Sequence, residues 1–406
     1  MIRKIIRSIQ LTLLFSVALF GYTLFADPDF EQWKQDFSQY AQEQGIKTQT
    51  LELALTGLLP DRKVLRLDAH QPEFSRPIWE YLDSAASPAR VAKGKRLMAE
   101  YADLLGRIYS TYHVQPEYIL AIWGVETDYG NFMGGYSTVR SLATLAYQGR
   151  MIRRNFWRDQ LVAALRIVQN NDMGLHSLIG SWAGAIGHTQ FIPSTVERYA
   201  VDFDGDGKRD LVNSIPDALA STANYLAQSG WIAGEYWARE VVLPSTFEWS
   251  KADPTYWLPV HLWMEQEQVL DRFNQPLPQD AYGFIFLPAG YRGPSLLAFH
   301  NFNVLLKYNN AYSYVMAVGS LGDQIRGEPA LQAQWPRDAR ELSFAEKAEL
   351  QELLTMAGYS TDGIDGRLGP NSRAALRRWQ MDVGYPADGF ATYEHLEKLR
   401  LQVPMV

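Results

Sequence analysis

The sequence contains no cysteine. Disulfides, thiolate metal sites and an acylated lipoprotein cysteine are therefore excluded. Histidine is scarce: the seven, at 70, 113, 176, 188, 261, 300 and 395, show no HxxxH or HExxH spacing, so each is read as structural. Positive charge is also in deficit. The formal net charge is −7, and the cations Arg3, Lys4 and Arg7 lie in an N-terminal segment without acids, which leaves −10 on the rest. That balance excludes a nucleic-acid polyanion as the natural partner. The one long uncharged apolar run is Ser8 to Ala26, after three cations and before Asp-Pro. It reads as a secretory signal over residues 1–26 with cleavage after Ala26. Because the run approaches bilayer-spanning length, an uncleaved membrane anchor is the other reading. Both make the protein exported.

The 406 residues suffice for two or three domains, and 47% hydrophobic content supports large cores. Twelve Trp and 22 Tyr suit a sugar-binding cleft lined with rings, with ordinary core packing accounting for most of them. Residues 30–240 read as mostly helical, most clearly over 90–113, 155–171 and 215–229. From 241 to 300 the helical period fades, and FIFLPAGYRGP at 284–294 reads as a strand with turns. Residues 301–325 turn helical again, and QWPRDAR at 334–340 reads as a linker. Beyond it, GYSTDGI (358–364) and GYPADGF (384–390) share GYxxDG at a separation of 26 residues. Between them Ala374, Ala375, Arg378 and Trp379 fall on one helical side. A small three-helix module with two DG turns follows. So short a chain has a thin core, which favours binding over catalysis.

The stretch AIWGVETDYG at 121–130 places a glutamate where a helix should be apolar. Pro116 suits the first turn. Ile119, Ile122, Trp123 and Glu126 then fall at i, i+3, i+4 and i+7, the buried stripe of an amphipathic helix. Gly130, Gly134 and Gly135 should end it. A carboxylate in a buried stripe and at the last turn has its charged form disfavoured twice, by desolvation and by the helix dipole. Two readings fit: a general acid, or a buried glutamate paired with an arginine. Asp128 is on another face, so no adjacent second carboxylate completes an ordinary glycosidase pair.

VDFDGDGKRDL at 201–211 sets Asp202, Asp204 and Asp206 at loop positions 1, 3 and 5, Gly207 at 6, the Lys208 carbonyl at 7 and Asp210 at 9. This is the spacing of an EF-hand-like calcium loop. Asn213 replaces the usual bidentate glutamate at position 12, and Asp217 downstream closes the shell instead. The alternative is a solvated acidic turn without metal. In IGSWAGAIGHTQFIPSTVERYA, Gly180, Gly184 and Gly187 allow close backbone approach, while Ser181 and Gln190 offer hydrogen bonds to amides or hydroxyls.

These blocks, with GSWAGAIGHTQFIPS, DALASTANYL and LLKYNNAYSYVMAVGSLG, occur in an order that resembles the catalytic domain of the lytic murein transglycosylase B family over residues 30 to about 325. LQELLTMAGYSTDGIDGRLGPNSRAALRRWQ resembles the peptidoglycan-binding type 1 module. The resemblance implies a mainly α (α+β) chain: a lysozyme-like helical catalytic domain over 27–333 with an EF-hand-like loop and a small β-containing part, then a linker at 334–340 and the three-helix module over 341–406. It implies cleavage of the bond between N-acetylmuramic acid and N-acetylglucosamine, with 1,6-anhydromuramic ends and Glu126 as sole acid and base. It further implies sugar contacts from Ser181, Gln190, Tyr308, Asn309, Tyr225 and Tyr81, and from one of Arg153 and Arg154. Structural Ca2+ is implied at Asp202, Asp204, Asp206 and Asp217. Peptidoglycan is the expected partner, the periplasm the location, and a monomer the expected state. Two other readings remain: a non-catalytic wall-binding protein, and a muramidase that uses water.

Overall fold

The computed structural model describes residues 28–69 and 76–403, so the proposed signal segment lies outside the described residues. Two compact units form. One takes the chain up to residue 69 with 134–186 and 191–198; the other takes 76–133, 187–190 and 199–403. Among the described residues, no helix is long and apolar enough to cross a membrane.

The first unit is helical, built on Pro28–Glu43, Thr48–Leu55, Arg62–Ala69, Thr138–Gln148 and Arg154–Gln169. Phe30, Trp33 and Phe37 repeat at helical spacing and stack at 5.3 Å centroid separations. Ser137 caps the Thr138–Gln148 helix by accepting the Arg140 amide. A short antiparallel ribbon pairs Tyr136–Ser137 with Ile179–Gly180.

The second unit is centred on Pro116–Thr127. The sequence predicts an amphipathic stripe here, but the helix is enclosed on every side from Glu117 to Gly124. A helix apolar all round belongs inside a helical core, and this one is packed by Pro88–Glu100, Ala102–Tyr112, Ile215–Gln228 and Tyr312–Arg326. Tyr118, Ile119, Leu120, Ile122 and Trp123 are all buried, each stabilising the fold by about 1.5–3 kcal/mol. That outweighs the cost of one desolvated carboxyl at the end of the helix. The expected single helix over 90–113 is broken at Tyr101 into two.

Where the helical period fades, five antiparallel strands form a sheet in the order Leu258–Pro259, Tyr282–Phe286, Ser295–Ala298, Ala238–Val242, Leu270–Asp271. Alternate residues face opposite sides. Phe284, Phe286, Leu296 and Ala298 join the main helical core, while Ile285, Leu297 and Phe299 pack with Phe247, Val260 and Trp263 behind the sheet.

The C-terminal part has the three expected helices, Phe344–Met356, Pro370–Asp382 and Tyr393–Gln402. Its buried stripe on the middle helix is Ser372, Ala375, Leu376, Trp379 and Gln380. Arg378 is exposed, because the first and third helices approach one position away from the side the spacing suggested. Two buried glutamines clamp DG turns: Gln351 holds Asp365 and Gly366, and Gln380 holds Asp388 and Gly389. The clamped pair is therefore Asp365–Gly366 with Asp388–Gly389, not the Asp362 of the GYxxDG alignment. Asp388 also accepts the Tyr291 amide at 2.9 Å, and Arg377 pairs with Asp253. The 334–340 stretch is fastened too, with Trp335 against Trp79 at 6.1 Å and Arg337 forked onto Asp83.

Candidate active site

Glu126 lies in the last turn of its helix, which ends at Thr127 rather than at the glycines. Asp128, Tyr129 and Gly130 follow with φ of 51°, 58° and 81°. Left-handed backbone at two non-glycine residues costs on the order of 1–3 kcal/mol each, and the surroundings enforce it. Arg90 pairs with the Asp128 carboxylate at 3.3 Å, Lys93 donates to its carbonyl at 2.8 Å, and the Tyr129 hydroxyl donates to the Arg90 carbonyl at 3.0 Å. Asp128 is thus committed to structure, as its position on another face suggests.

The Glu126 carboxyl is only partly open to solvent. Burial pushes its pKa from 4.5 up to about 7, and the nearby Tyr314 hydroxyl acts in the opposite direction. A shift of this size makes the charged form about 3 kcal/mol less favourable. Among the described residues no arginine, lysine or second carboxylate contributes to this environment. The buried-ion-pair reading therefore fails for Glu126. The Tyr314 hydroxyl is itself buried and makes no hydrogen bond of normal geometry among the described residues, although it lies close enough to Glu126 for each to shift the other's pKa. Beside it runs a file of rings: Tyr314 stacks on Tyr308 at 6.1 Å, Tyr308 meets Tyr225 edge-on at 5.0 Å, and Tyr225 meets Tyr199 at 4.8 Å. The Tyr308 hydroxyl donates to the Thr189 carbonyl and that of Tyr225 to the Lys307 carbonyl. Asn309 is exposed just past the His300–Tyr308 helix. Tyr81 is close enough to Tyr314 to raise its pKa.

Residues 187–190 are sewn to the end of the Glu126 helix. Trp123 Nε1 donates to His188 Nδ1 at 3.0 Å, and the Thr127 hydroxyl donates to the His188 carbonyl at 2.6 Å. Burial lowers the His188 pKa, so it accepts as a neutral imidazole. Gln190 adopts φ 54° and its side-chain amide donates to the Met133 and Gly187 carbonyls. Gly187 is required because a Cβ there would lie 2.2 Å from the Leu211 carbonyl.

Leu211 belongs to the acidic loop. Asp202, Asp204 and Asp217 bring carboxylate oxygens within 4.8 Å of one another. Asp217 is fully buried, with burial raising its pKa and amides of Phe203, Asp210 and Asp204 opposing this. Three converging hard oxygen donors, one without solvent, fit a cation such as calcium. Asp206 accepts the Lys208 amide and Asp210 the Val212 and Asn213 amides, as Asp202 accepts those of Gly205 and Gly207, and neither Asp206 nor Asp210 is in the converging trio. Asp217, well beyond the loop motif, is in it.

Ser181, Arg153 and Arg154 belong to the other unit. Ser181 closes a turn, its hydroxyl accepting the Ala185 amide at 3.0 Å. Arg154 Nε donates to the Gly149 carbonyl, whereas the Arg153 guanidinium lies over Phe156 and Trp157 at 5.4 and 5.2 Å. Tyr314, His188 and Thr189 escaped sequence reading. Only the recurrence of tyrosines at 308, 312 and 314 hinted at the first, and nothing local hinted at the others.

A desolvated carboxyl beside a file of tyrosines is an arrangement able to hold and release a proton next to a ring-lined surface. Comparison with known proteins specifies it. Residues 29–323 match the transglycosylase SLT domain, and residues 345–399 match a putative peptidoglycan binding domain. The chain is 30% identical over 290 residues to the membrane-bound lytic murein transglycosylase B of Escherichia coli (strain K12), covering 70% of this chain and 77% of that one. It is similar to SltB3 of Pseudomonas aeruginosa, solved in complex with NAG-anhNAM-pentapeptide: 46% identity, TM-score 0.88, 91% of this chain and 99% of that chain. The E. coli lytic transglycosylase Slt35, solved in complex with calcium, matches at 27% identity and TM-score 0.63 over 75% of this chain and 95% of that one. The chain belongs to the lytic murein transglycosylase B family and is a lytic transglycosylase that acts on peptidoglycan.

Proposed function

We propose that Glu126 is the single acid and base of the cleavage. It protonates the oxygen between N-acetylmuramic acid and N-acetylglucosamine. It then takes the proton of the muramic acid C6 hydroxyl as that hydroxyl attacks C1. The product carries a 1,6-anhydromuramic end and no water is consumed. The observation that carries this reading is a carboxyl raised to about pKa 7 by burial, with the Tyr314 hydroxyl nearby and, among the described residues, no partner carboxylate. An internal nucleophile removes the need for the second carboxylate that a water-using glycosidase places across the bond. The anhydro sugar in the SltB3 complex is what such a step would make. Tyr308, Tyr225, Tyr81, Asn309, Gln190 and Ser181 are the proposed sugar contacts. Arg153, stacked on rings rather than tied to backbone, is the arginine of the pair proposed to meet substrate. Mass spectrometry of muropeptides released from purified sacculi tests the reaction. Anhydro ends are expected; reducing ends would mean hydrolysis, and no release would mean a binding protein.

The acidic loop is proposed to hold Ca2+ through Asp202, Asp204 and Asp217. Its contribution is structural, since Leu211 of this loop accepts the His188 amide behind Glu126. Residues 1–26 are proposed as the export signal, residues 27–333 as the catalytic domain and 341–406 as the wall-binding domain. The enzyme is proposed to act in the periplasm as a monomer.

The C-terminal domain raises the local concentration of wall at the site without chemistry of its own. Deleting 341–406 is expected to weaken pelleting with sacculi and slow digestion of insoluble wall, while turnover of short soluble glycans stays within about twofold. Asp388 and Arg377 dock this domain on residues 253 and 291, so the comparison is made on a variant whose melting curve shows it folded. Undiminished pelleting by that variant would place the anchor elsewhere.

A further inference from the structure

The helix carrying Glu126 and the helix Tyr312–Arg326 meet at both ends. Glu126 faces Tyr314 at one end. At the other, the Tyr118 hydroxyl donates to Asp323 Oδ1 at 2.8 Å. The two helices are therefore antiparallel. From 118 to 126 is about 12 Å of helix, and from 314 to 323 about 13.5 Å, at 1.5 Å per residue. The two meeting points are matched in spacing. Asp323 Oδ2 takes a second donor, Trp237 Nε1 at 2.8 Å. Arg326 lies 3.5 Å from both Asp323 and Glu117, and 3.7 Å from Glu328. There is no slack in the packing: a Cβ at Gly322 would lie 2.6 Å from the Tyr118 ring, and one at Gly319 2.2 Å from the Trp237 ring.

We infer that Asp323 is a positioning residue for Glu126: by holding Tyr118 and Trp237 together it sets the axial register at which the Tyr314 hydroxyl meets the Glu126 carboxyl. A carboxylate suits this role because it accepts both donors at once, one on each oxygen. Burial pushes the Asp323 pKa to about 6, so it is mostly ionised at pH 7. Sliding either helix by an ångström lengthens the Tyr118–Asp323 bond beyond what a hydrogen bond tolerates and moves the Tyr314 hydroxyl relative to the Glu126 carboxyl. For its catalytic consequence the inference rests on Glu126 being the acid/base; for its geometry it does not.

The test reads the Glu126 carboxyl directly, by 13C NMR titration of the full chain. Tyr314→Phe removes a donor to the carboxylate and is expected to raise the Glu126 pKa. Tyr118→Phe and Asp323→Asn, at the far end of the helix pair, are expected to raise it in the same direction, and to add nothing when combined with Tyr314→Phe. In each, kcat is expected to fall on the order of tenfold with KM within about twofold, less than the hundredfold that a 1 Å misplacement can cost. A merely structural Asp323 would lower the melting temperature and leave the Glu126 titration where it was. Tyr118→Phe keeps the ring packed on Gly322, so it decides the matter even if Asp323→Asn does not fold. An unchanged Glu126 titration in folded Tyr118→Phe, or additive shifts in the double variants, overturns the inference. Normal turnover by Glu126→Gln would overturn the acid/base reading alone and leave this coupling to stand or fall on the NMR.

Discussion

Glu126→Gln is expected to lose glycan cleavage while still folding and binding wall. Removing a general acid costs about 10²–10⁴ in rate, and here the same group is asked to be acid and then base. Glutamine keeps the shape, but it can neither give nor take the proton. The wild type should show the matching pH dependence. The first step needs Glu126 protonated, so kcat/KM falls as pH rises through about 7. Stability gives an independent check with a defined sign. The folded pKa is raised above 4.5, so the folded chain binds this proton more tightly than the unfolded one. Its relative contribution to stability is fully present below about 4.5 and is lost as pH rises through about 7. Glutamine has no such loss. The variant should therefore melt no lower than wild type, with an advantage that grows across that window and is constant above it. Near-normal turnover of sacculi by Glu126→Gln would remove the assignment.

Calcium should raise the melting temperature of the wild type, and chelator should reverse it. A ligand that binds only the folded state stabilises by about 2.7 kcal/mol at a hundredfold excess over Kd. Asp202→Ala with Asp204→Ala is the informative variant, because both are exposed and meet at the converging oxygens. Asp217 is a poorer choice, since it is buried and also accepts the Phe203, Asp204 and Asp210 amides. Its loss would destabilise the loop with or without metal. The double variant is expected to melt at one temperature in calcium and in chelator, and to lose activity through the Leu211–His188 link. A wild-type melting curve indifferent to chelator would end the metal role.

Much of this was legible in the chain. The cysteine-free composition, the helical spacing through 116–126, the aspartates at alternate positions of 202–206 and the ordered family motifs are local patterns, and local patterns survive without a structure. Glu126 could be singled out because a carboxyl at i+7 of an apolar run is costly wherever the helix goes. Its environment was not legible. Whether an arginine neutralised it depended on which side chains 60 to 190 residues away packed against it. These were Tyr308 and Tyr314, with His188 fastened to Trp123 and Thr127 of the same helix, and no spacing rule reaches that far. The same limit holds for the acidic loop, where spacing could not say which carboxylates come together and the fold gathers Asp202, Asp204 and Asp217. It explains Arg153 and Arg154 as well, since neighbours in sequence leave a helix start in different directions. The sequence alone determined a helical enzyme directed at peptidoglycan with one conspicuous carboxyl, and left export as an expectation. Only the tertiary structure decided that, among the described residues, no cation or second carboxylate stands beside this carboxyl, because desolvation is set by what surrounds a group in space, and antiparallel packing of two distant helices put a tyrosine there.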